Sequence, residues 1–139
     1  MALPTSLTLE IVTPERPLVR ETVDEVTLPG AEGELGILPG HTPLLTTLKV
    51  GVLSYRKGEE RSYVAIAYGF AEALADRVTV LAQVAERAEE IDVAKAKASL
   101  ERAEQRLSAG GPQTDLEAAR EAQARAATRL LVASKARTR

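Results

Sequence analysis

The chain has 139 residues, no cysteine and a formal net charge of −2 at pH 7. This length allows one domain, or one small domain with an appendage, and the missing cysteines exclude disulfides and thiolate metal sites. The N-terminus lacks a basic region followed by an apolar core, and uncharged runs fall far short of the ~20 residues of a membrane-spanning helix. We therefore expect an intracellular protein, or one that meets a membrane assembly through protein contacts.

The first part of the chain has the pattern of short strands. Leu7, Leu9 and Ile11 alternate with more polar neighbours, as in a strand with one buried face. Val26 and Leu28 follow an acidic turn, and residues 52–56 and 61–68 are rich in β-branched and aromatic side chains. Between these two segments, residues 57–58 predict a hairpin turn, and residues 76–77 predict a turn before a last strand at 78–82.

Residues 33–46 form the most constrained segment. They contain three glycines, two prolines and His41, the only histidine of the chain. Glycine allows positive φ or close backbone approach, and proline fixes φ and removes a hydrogen-bond donor. The segment predicts well-specified bends between short strands, with His41 on a stiff turn.

The sequence after about residue 90 is rich in alanine and charge and predicts two helices. Asp92 is a candidate N-cap with Ile91 as its hydrophobic flank. The first apolar stripe is Ala96, Leu100, Ala103 and Leu107. Gly110, Gly111 and Pro112 end that helix.

Thr114 can cap the second helix, with Glu117 completing a capping box. Its apolar stripe is Leu116, Ala119, Ala126, Leu130 and Ala133. The short connection predicts an antiparallel hairpin. Alanine stripes bury little area, so at ~25 cal/mol per Å² the hairpin packs weakly and can detach at little cost.

These patterns predict a β-rich α+β protein in two parts: an antiparallel sandwich or barrel over residues 1–88, and a two-helix hairpin over residues 89–139. The charges divide in the same way. Residues 1–90 carry 14 acidic and 8 basic side chains, a net charge of −6, and residues 91–139 carry 6 and 10, a net charge of +4. A basic tail suits an acidic partner or docking on its own body, although a solvated helical face gives the same pattern.

The sequence contains no pattern for catalysis. A lone histidine beside proline and glycine is more often a hydrogen-bonded turn residue than a ligand or base, and no second histidine or cysteine completes a zinc site. The phosphate-binding loop of nucleotide hydrolases is missing. Nucleic acid is a poor candidate partner because the aromatic residues lie in the acidic half. Membrane-surface binding by the tail lacks aromatic anchors.

The segment 33–46, the segments 78–82 and 85–96, and the register of Leu100, Ala103 and Leu107 together resemble the epsilon subunit of bacterial F-type ATP synthases over nearly the whole chain. This resemblance implies a flattened antiparallel β-sandwich followed by a regulatory helical hairpin. It implies a non-catalytic rotor subunit of a proton-translocating enzyme at the cytoplasmic face of the bacterial membrane. The implied partners are the stalk gamma subunit, the membrane c-ring and the alpha and beta subunits of the catalytic head, where the extended hairpin inhibits ATP hydrolysis.

The resemblance also implies ATP as a possible regulatory ligand, with no cofactor required. In some bacterial members ATP holds the folded hairpin through a motif of Ile-Asp, two variable residues and Arg-Ala. The matching positions here are Ile91, Asp92, Lys95 and Ala96, with an acidic position at Glu86 and basic positions at Arg102, Arg125 and Arg129. Lys95 departs from the arginine of the family and lacks its planar, bidentate fork. An exposed, salt-bridged helical face is the alternative interpretation of these charges.

Three further positions match residues that face the polar loops of the membrane ring: Thr13, Glu34 and His41. Ordinary surface turn chemistry is the alternative for Thr13 and Glu34. A second function class, a free-standing ATP-binding sensor module, fits the same sandwich and hairpin. Co-purification with a gamma subunit and a catalytic head would separate the two.

Overall fold

The computed structural model describes residues 3–111 and 115–136. The strands are β1 (Leu7–Val12), β2 (Pro17–Val23), β3 (Glu25–Gly30), β4 (Gly33–Ile37), β5 (Leu44–Leu48), β6 (Gly51–Lys57), β7 (Glu60–Ala73) and β8 (Arg77–Arg87). A short 3-10 turn, Ala88–Glu90, leads to the helices α1 (Val93–Ala109) and α2 (Leu116–Ala136). None of the helices in the described part of the chain is long and apolar enough to cross a membrane.

The strands form one continuous hydrogen-bonded sheet in the order β2-β1-β8-β7-β5-β3-β4, with β6 paired to both β3 and β7. All pairs are antiparallel except β1 with β8, which run parallel. The long strand β7 pairs with β6 through its first half and with β5 through its second half. This sharing folds the sheet over itself into the predicted β-sandwich.

The core of the sandwich comes from alternate positions on these strands. Leu7, Leu9 and Ile11 of β1 are fully buried, as the period-two pattern predicted. Further fully buried side chains include Leu28, Ile37, Leu53, Ile66 and Val80. All members of this main cluster lie between residues 7 and 85, so the sandwich has a complete core without the helices.

In the middle of β7, the side of the strand that faces the core changes. Val64 and Ile66 belong to the sandwich core before this point, and Ala71 and Ala73 belong to it afterwards, so the core-facing positions change from even to odd. Tyr68 has a φ of 63° and Gly69 a φ of 141° at this point. The side of β7 that faces the core therefore changes between Ala67 and Phe70, while the pairing of β7 with β8 keeps one register.

The helices pair through alanine, as the sequence predicted. Ala96 and Ala103 of α1 and Ala119 and Ala126 of α2 are buried. Asp92 caps α1, because its Oδ1 atom accepts a hydrogen bond from the Lys95 amide at 3.1 Å. Gly110, with a φ of 59°, ends α1 and donates its N–H to the Arg106 carbonyl at 3.2 Å.

Several local predictions need correction. Leu116, predicted in the α2 stripe, is 43% exposed, whereas Val132, outside that stripe, is fully buried. The predicted cap Thr114 and Pro112 lie outside the described residues. The Asp115 carboxylate accepts from the Ala118 amide at 3.1 Å and acts as a cap for α2.

The strands extend beyond their predicted bounds. Segment 33–46 contains β4 and most of β5 in addition to bends, and β2 had no counterpart among the predicted strands. β7 and β8 continue to Ala73 and Arg87. These extensions form because neighbouring strands supply hydrogen-bond partners for the backbone N–H and C=O groups. The local residue pattern alone does not encode these partners.

Candidate functional site

The helical hairpin lies on the outer face of β7 and β8 through a small apolar cluster. Its buried members are Ala65 of β7, Ala88 and Ile91 of the connection, and Val132 and Ala133 of α2. Three of the five are alanines, so the contact buries much less hydrocarbon than the leucine- and isoleucine-rich sandwich core. The hairpin is therefore the more weakly held part of the molecule.

A cavity of about 300 Å³ lies between α2 and the sheet. Its sheet side is apolar, with Ala65, Ala67 and Val84 among its lining residues. Its helix side combines Ala122 and Ala126 with the polar residues Ser99, Arg125, Thr128 and Arg129, and Glu86 faces them from β8. An apolar wall opposite two guanidinium groups suits a ligand with a flat apolar part and an anionic part.

The charged residues of this cavity already have partners within the chain. Arg129 donates to Glu86 through two hydrogen bonds, Nε to Oε1 at 2.7 Å and Nη2 to Oε2 at 3.3 Å. Arg125 pairs with Glu121 at 2.9 Å, and its guanidinium carbon lies 5.5 Å from the centroid of the Tyr68 ring. The Arg125 Nε atom is buried and has no hydrogen-bond partner among the described residues.

The structure brings together three of the eight predicted nucleotide-site residues, namely Glu86, Arg125 and Arg129. Two others have packing roles, because Ile91 lies in the apolar cluster under the hairpin and Ala96 is fully buried. Asp92 is exposed and caps α1.

The two remaining cations, Lys95 and Arg102, are exposed on α1 and do not belong to the cavity lining. Arg102 donates to Ser99 Oγ at 3.1 Å, which places it beside the cavity through Ser99. The predicted convergence of basic side chains from both helices is thus realised mainly by α2.

The three residues predicted to face the membrane ring lie at three different places in the sandwich. Leu44 of β5 pairs with Ala73 of β7, and Gly40 donates to the Ala75 carbonyl at 2.7 Å, so His41 lies beyond this end. Thr13 follows Val12, which is level with Leu81 in the middle of β8. That Thr13, Glu34 and His41 face the polar loops of a membrane ring stays a prediction.

Each of these residues has its own local setting. Thr13 closes the β1–β2 turn, with its hydroxyl and the Arg16 backbone hydrogen bonded to each other at 3.1 and 3.2 Å. Glu34 is exposed on β4, opposite Pro29. The His41 ring nitrogen Nδ1 lies 2.6 Å from the Thr42 carbonyl, a turn-stabilising contact.

Sequence reasoning missed an apolar surface on the sandwich, formed by Leu45, Phe70 and Leu81. These side chains are 72%, 55% and 55% exposed, and Phe70 is paired directly with Leu81 across β7 and β8. Beside them lies a groove that also includes Val12, Thr13 and Pro14. The signal in the sequence is a large hydrophobic residue at an outward strand position, which only the register of β7 identifies.

Comparison with known proteins identifies the family. A model of the beta-sandwich domain of the ATP synthase delta/epsilon chain matches residues 6–88, and a model of the long alpha-helix domain of the same chain matches residues 89–134. The chain therefore belongs to the ATP synthase delta/epsilon chain family.

Relatives and a solved structure support this assignment over nearly the whole length. The ATP synthase epsilon chain of Syntrophobacter fumaroxidans is 53% identical over 127 residues, covering 91% of this chain and 95% of the relative. That of Geotalea uraniireducens is 48% identical over 134 residues, covering 94% and 95%. A chain of the Euglena gracilis mitochondrial ATP synthase, solved with F1 and the c-ring, superposes with a TM-score of 0.81 at 25% identity, covering 97% of this chain and 84% of that one.

Proposed function

We propose that this chain is the epsilon subunit of a proton-translocating bacterial F-type ATP synthase, a non-catalytic rotor subunit that couples the membrane ring to the catalytic head and restrains ATP hydrolysis. It works at the cytoplasmic face of the membrane, held there by the complex. The observation that carries the proposal is a sandwich with a complete core joined to a hairpin that packs on it mainly through alanine. Such a division suits a fixed coupling body and a mobile regulatory arm.

The sandwich offers two surfaces for the rotor partners. The apolar surface of Leu45, Phe70 and Leu81 has the character of a protein interface, and we assign it to the stalk gamma subunit. Thr13 borders this surface. Thr13, Glu34 and His41 are the residues proposed to meet the polar loops of the c-ring.

The hairpin is the part suited to entering the catalytic head. Residues 91–139 carry a net charge of +4, which favours approach to acidic surfaces of the alpha and beta subunits. When the hairpin leaves the sandwich, only a small apolar cluster becomes exposed. Insertion of the hairpin would block rotation in the hydrolysis direction.

Truncation of the hairpin tests this role. Removing the chain from Asp92 onward should raise ATP hydrolysis by the assembled enzyme, because the blocking element is gone. The rate is measured in complexes freed of inhibitory ADP, with full-length complexes of equal epsilon content as the control. Equal hydrolysis rates in the two complexes would overturn the inhibitory role.

ATP is proposed as a regulatory ligand of the cavity under α2. The phosphates would meet Arg125 and Arg129, and the apolar sheet wall would meet the base. A charge-assisted hydrogen bond contributes about 1.5–3 kcal/mol, so Arg125→Ala should weaken binding roughly ten- to a hundredfold. The family motif predicts that Lys95→Arg tightens binding by supplying the planar fork. Because Lys95 does not line the cavity, this gain requires the bound nucleotide to extend beyond the cavity to α1.

Calorimetry on the isolated chain measures both effects. Arg120→Ala is the matched control, because it removes an exposed arginine from the same helix and should leave affinity unchanged. Binding that is unaffected by Arg125→Ala and by Lys95→Arg would show that these cations do not form a nucleotide site. Stoichiometric co-purification with gamma and the catalytic head separates the subunit from a free-standing ATP sensor.

A further inference from the structure

Tyr68 combines an unusual backbone conformation with a contact to the hairpin. Among residues 3–111 and 115–136 it is the only non-glycine residue with a positive φ, 63°. An L-residue with a large side chain rarely adopts this conformation, because its Cβ crowds the backbone. In regular alternation with Val64 and Ile66, residue 68 would face the core. The positive φ instead accompanies a ring placed under α2.

The cation on the Tyr68 ring is Arg125 of α2, with its guanidinium carbon 5.5 Å from the ring centroid. The Glu121 carboxylate forms an ion pair with one terminal nitrogen of the guanidinium. The buried Nε atom has no hydrogen-bond partner among the described residues. The aromatic face is thus a principal contact of this cation with the sandwich. A partly desolvated arrangement of this kind strengthens a cation–π attraction.

A second tyrosine of β7 makes the same kind of contact near the C-terminal end of α2. The Lys135 Nζ atom lies 5.7 Å from the centroid of the Tyr63 ring. Residues 125 and 135 are ten positions apart, about 15 Å along a helix. Between them lie the small buried residues Val132 and Ala133 and the Arg129–Glu86 pair.

We propose that these two tyrosine–cation contacts are a latch that holds the hairpin on the sandwich without any nucleotide, and that Tyr68 sets how readily the hairpin opens. The inference rests on the proposed mobility of the hairpin. The interface between the two contacts is rich in alanine, so specific contacts at its ends have a large share in docking. The latch makes the docked state an intrinsic property of this chain, which a nucleotide could reinforce but is not needed to create.

The absence of cysteine permits a direct measurement of hairpin opening on the full-length chain. Dyes are attached after Glu59→Cys, in the β6–β7 turn, and Glu104→Cys, on α1, both exposed positions. Resonance energy transfer between the two dyes is measured in nucleotide-free buffer and reports the distance between the hairpin and the sandwich. Tyr68→Leu and Arg125→Gln should each raise the ratio of open to docked hairpin about three- to tenfold, from the usual strength of such contacts.

Conservative and matched variants make the result specific. Tyr68→Phe keeps the aromatic face and should stay docked like the parent chain, and Arg120→Gln, which removes the same charge five residues earlier on α2, should do the same. The double variant Tyr68→Leu with Arg125→Gln should open no more than either single variant, because both remove one contact. Opening that is the same in Tyr68→Leu and the parent, or in Tyr68→Phe and Tyr68→Leu, would overturn the latch.

Tyr68→Gly separates loss of the latch from damage to the sandwich. Glycine accepts a positive φ without strain, so this variant should open the hairpin while the sandwich melts at the same or a higher temperature. A variant that stays docked in spite of the missing ring would overturn the proposal. Because opening is measured on the isolated chain, its result is independent of the hydrolysis assay that tests the inhibitory function.

Discussion

At the scale of single residues, Gly69 is required by both its backbone and its surroundings. Its φ of 141° lies in a region that L-residues rarely adopt. A Cβ atom built on it would lie 2.1 Å from the Leu81 carbonyl oxygen and 2.8 Å from the Ala82 Cα atom. Both neighbours are backbone atoms of β8, so they cannot turn aside as a side chain would.

We predict that Gly69→Ala lowers the free energy of unfolding by at least about 2 kcal/mol, because it adds backbone strain to a collision with β8. Gly36→Ala is the matched control. A Cβ at Gly36 meets nothing within 4 Å, and the change should be close to neutral. Urea denaturation of both variants and the parent measures the difference. Equal loss of stability in the two variants would contradict this account of β7.

A second residue-scale prediction concerns acid stability. The hydrogen bond from Arg61 to Glu25, 2.8 Å long, lowers the pKa of Glu25 below its usual value of about 4.5, with Arg56 adding further attraction. Because the folded-state pKa is the lower one, this contribution is complete above the unfolded pKa and is lost as the pH falls through the folded pKa. Glu25→Gln should therefore reduce stability at pH 7 and narrow the difference between pH 7 and pH 3.

Urea denaturation at the two pH values measures this effect. Glu32→Gln, an exposed carboxylate in the β3–β4 turn, is the control and should leave the pH dependence unchanged. If Glu25→Gln shows the same loss of stability between pH 7 and pH 3 as the parent, the Glu25–Arg61 pair does not contribute to acid stability.

At the scale of elements, the helices were more predictable than the strands. The alanine stripe, the Asp92 cap and the glycine stop are all local signals, and the structure confirms them. The exposed Leu116 and buried Val132 were not predictable, because the position of the sheet decides which side of α2 is covered. The strands β2, β4 and β5 depend in the same way on distant partners that the local pattern does not contain.

The cap gives a prediction for α1. Asp92→Ala should remove the hydrogen bond to the Lys95 amide and cost about 1 kcal/mol of stability, whereas Asp92→Ser should retain most of it. Thermal unfolding followed by far-UV circular dichroism measures both. The serine variant also separates capping from any nucleotide contact of the carboxylate. A serine variant as unstable as the alanine variant would contradict the capping role.

At the scale of the whole molecule, the division into sandwich and hairpin followed from composition and periodicity. The candidate site was harder to predict from the sequence, because only Glu86, Arg125 and Arg129 of its predicted residues meet at the cavity. The contact between Tyr68 and Arg125 depends on the point in β7 where the core-facing side of the strand changes, which no local pattern encodes. The outward position of Phe70 in the apolar surface depends on the same change.

This division predicts the behaviour of a chain truncated after residue 88. It keeps every member of the main core cluster and the whole apolar surface, so it should fold, bind the gamma subunit and support ATP synthesis. Pull-down with gamma and ATP synthesis in reconstituted vesicles measure this, with the full-length chain as the control. A truncated chain that is folded yet fails to join the complex would show that coupling needs the hairpin.

The parallel pairing of β1 with β8 fixes the order of events during synthesis of the chain. Thr8 pairs with Arg77, 69 positions later, and β8 also separates β1 from β7. At ~5–20 residues per second, the ribosome needs roughly 3–14 s to make the chain between them. Until then the β1 edge of the first hairpin, β1 with β2, has no strand partner, and two-stranded hairpins are only marginally stable in water. The sheet therefore closes only when β8 emerges, while the helices that will later lie on it are still being synthesised.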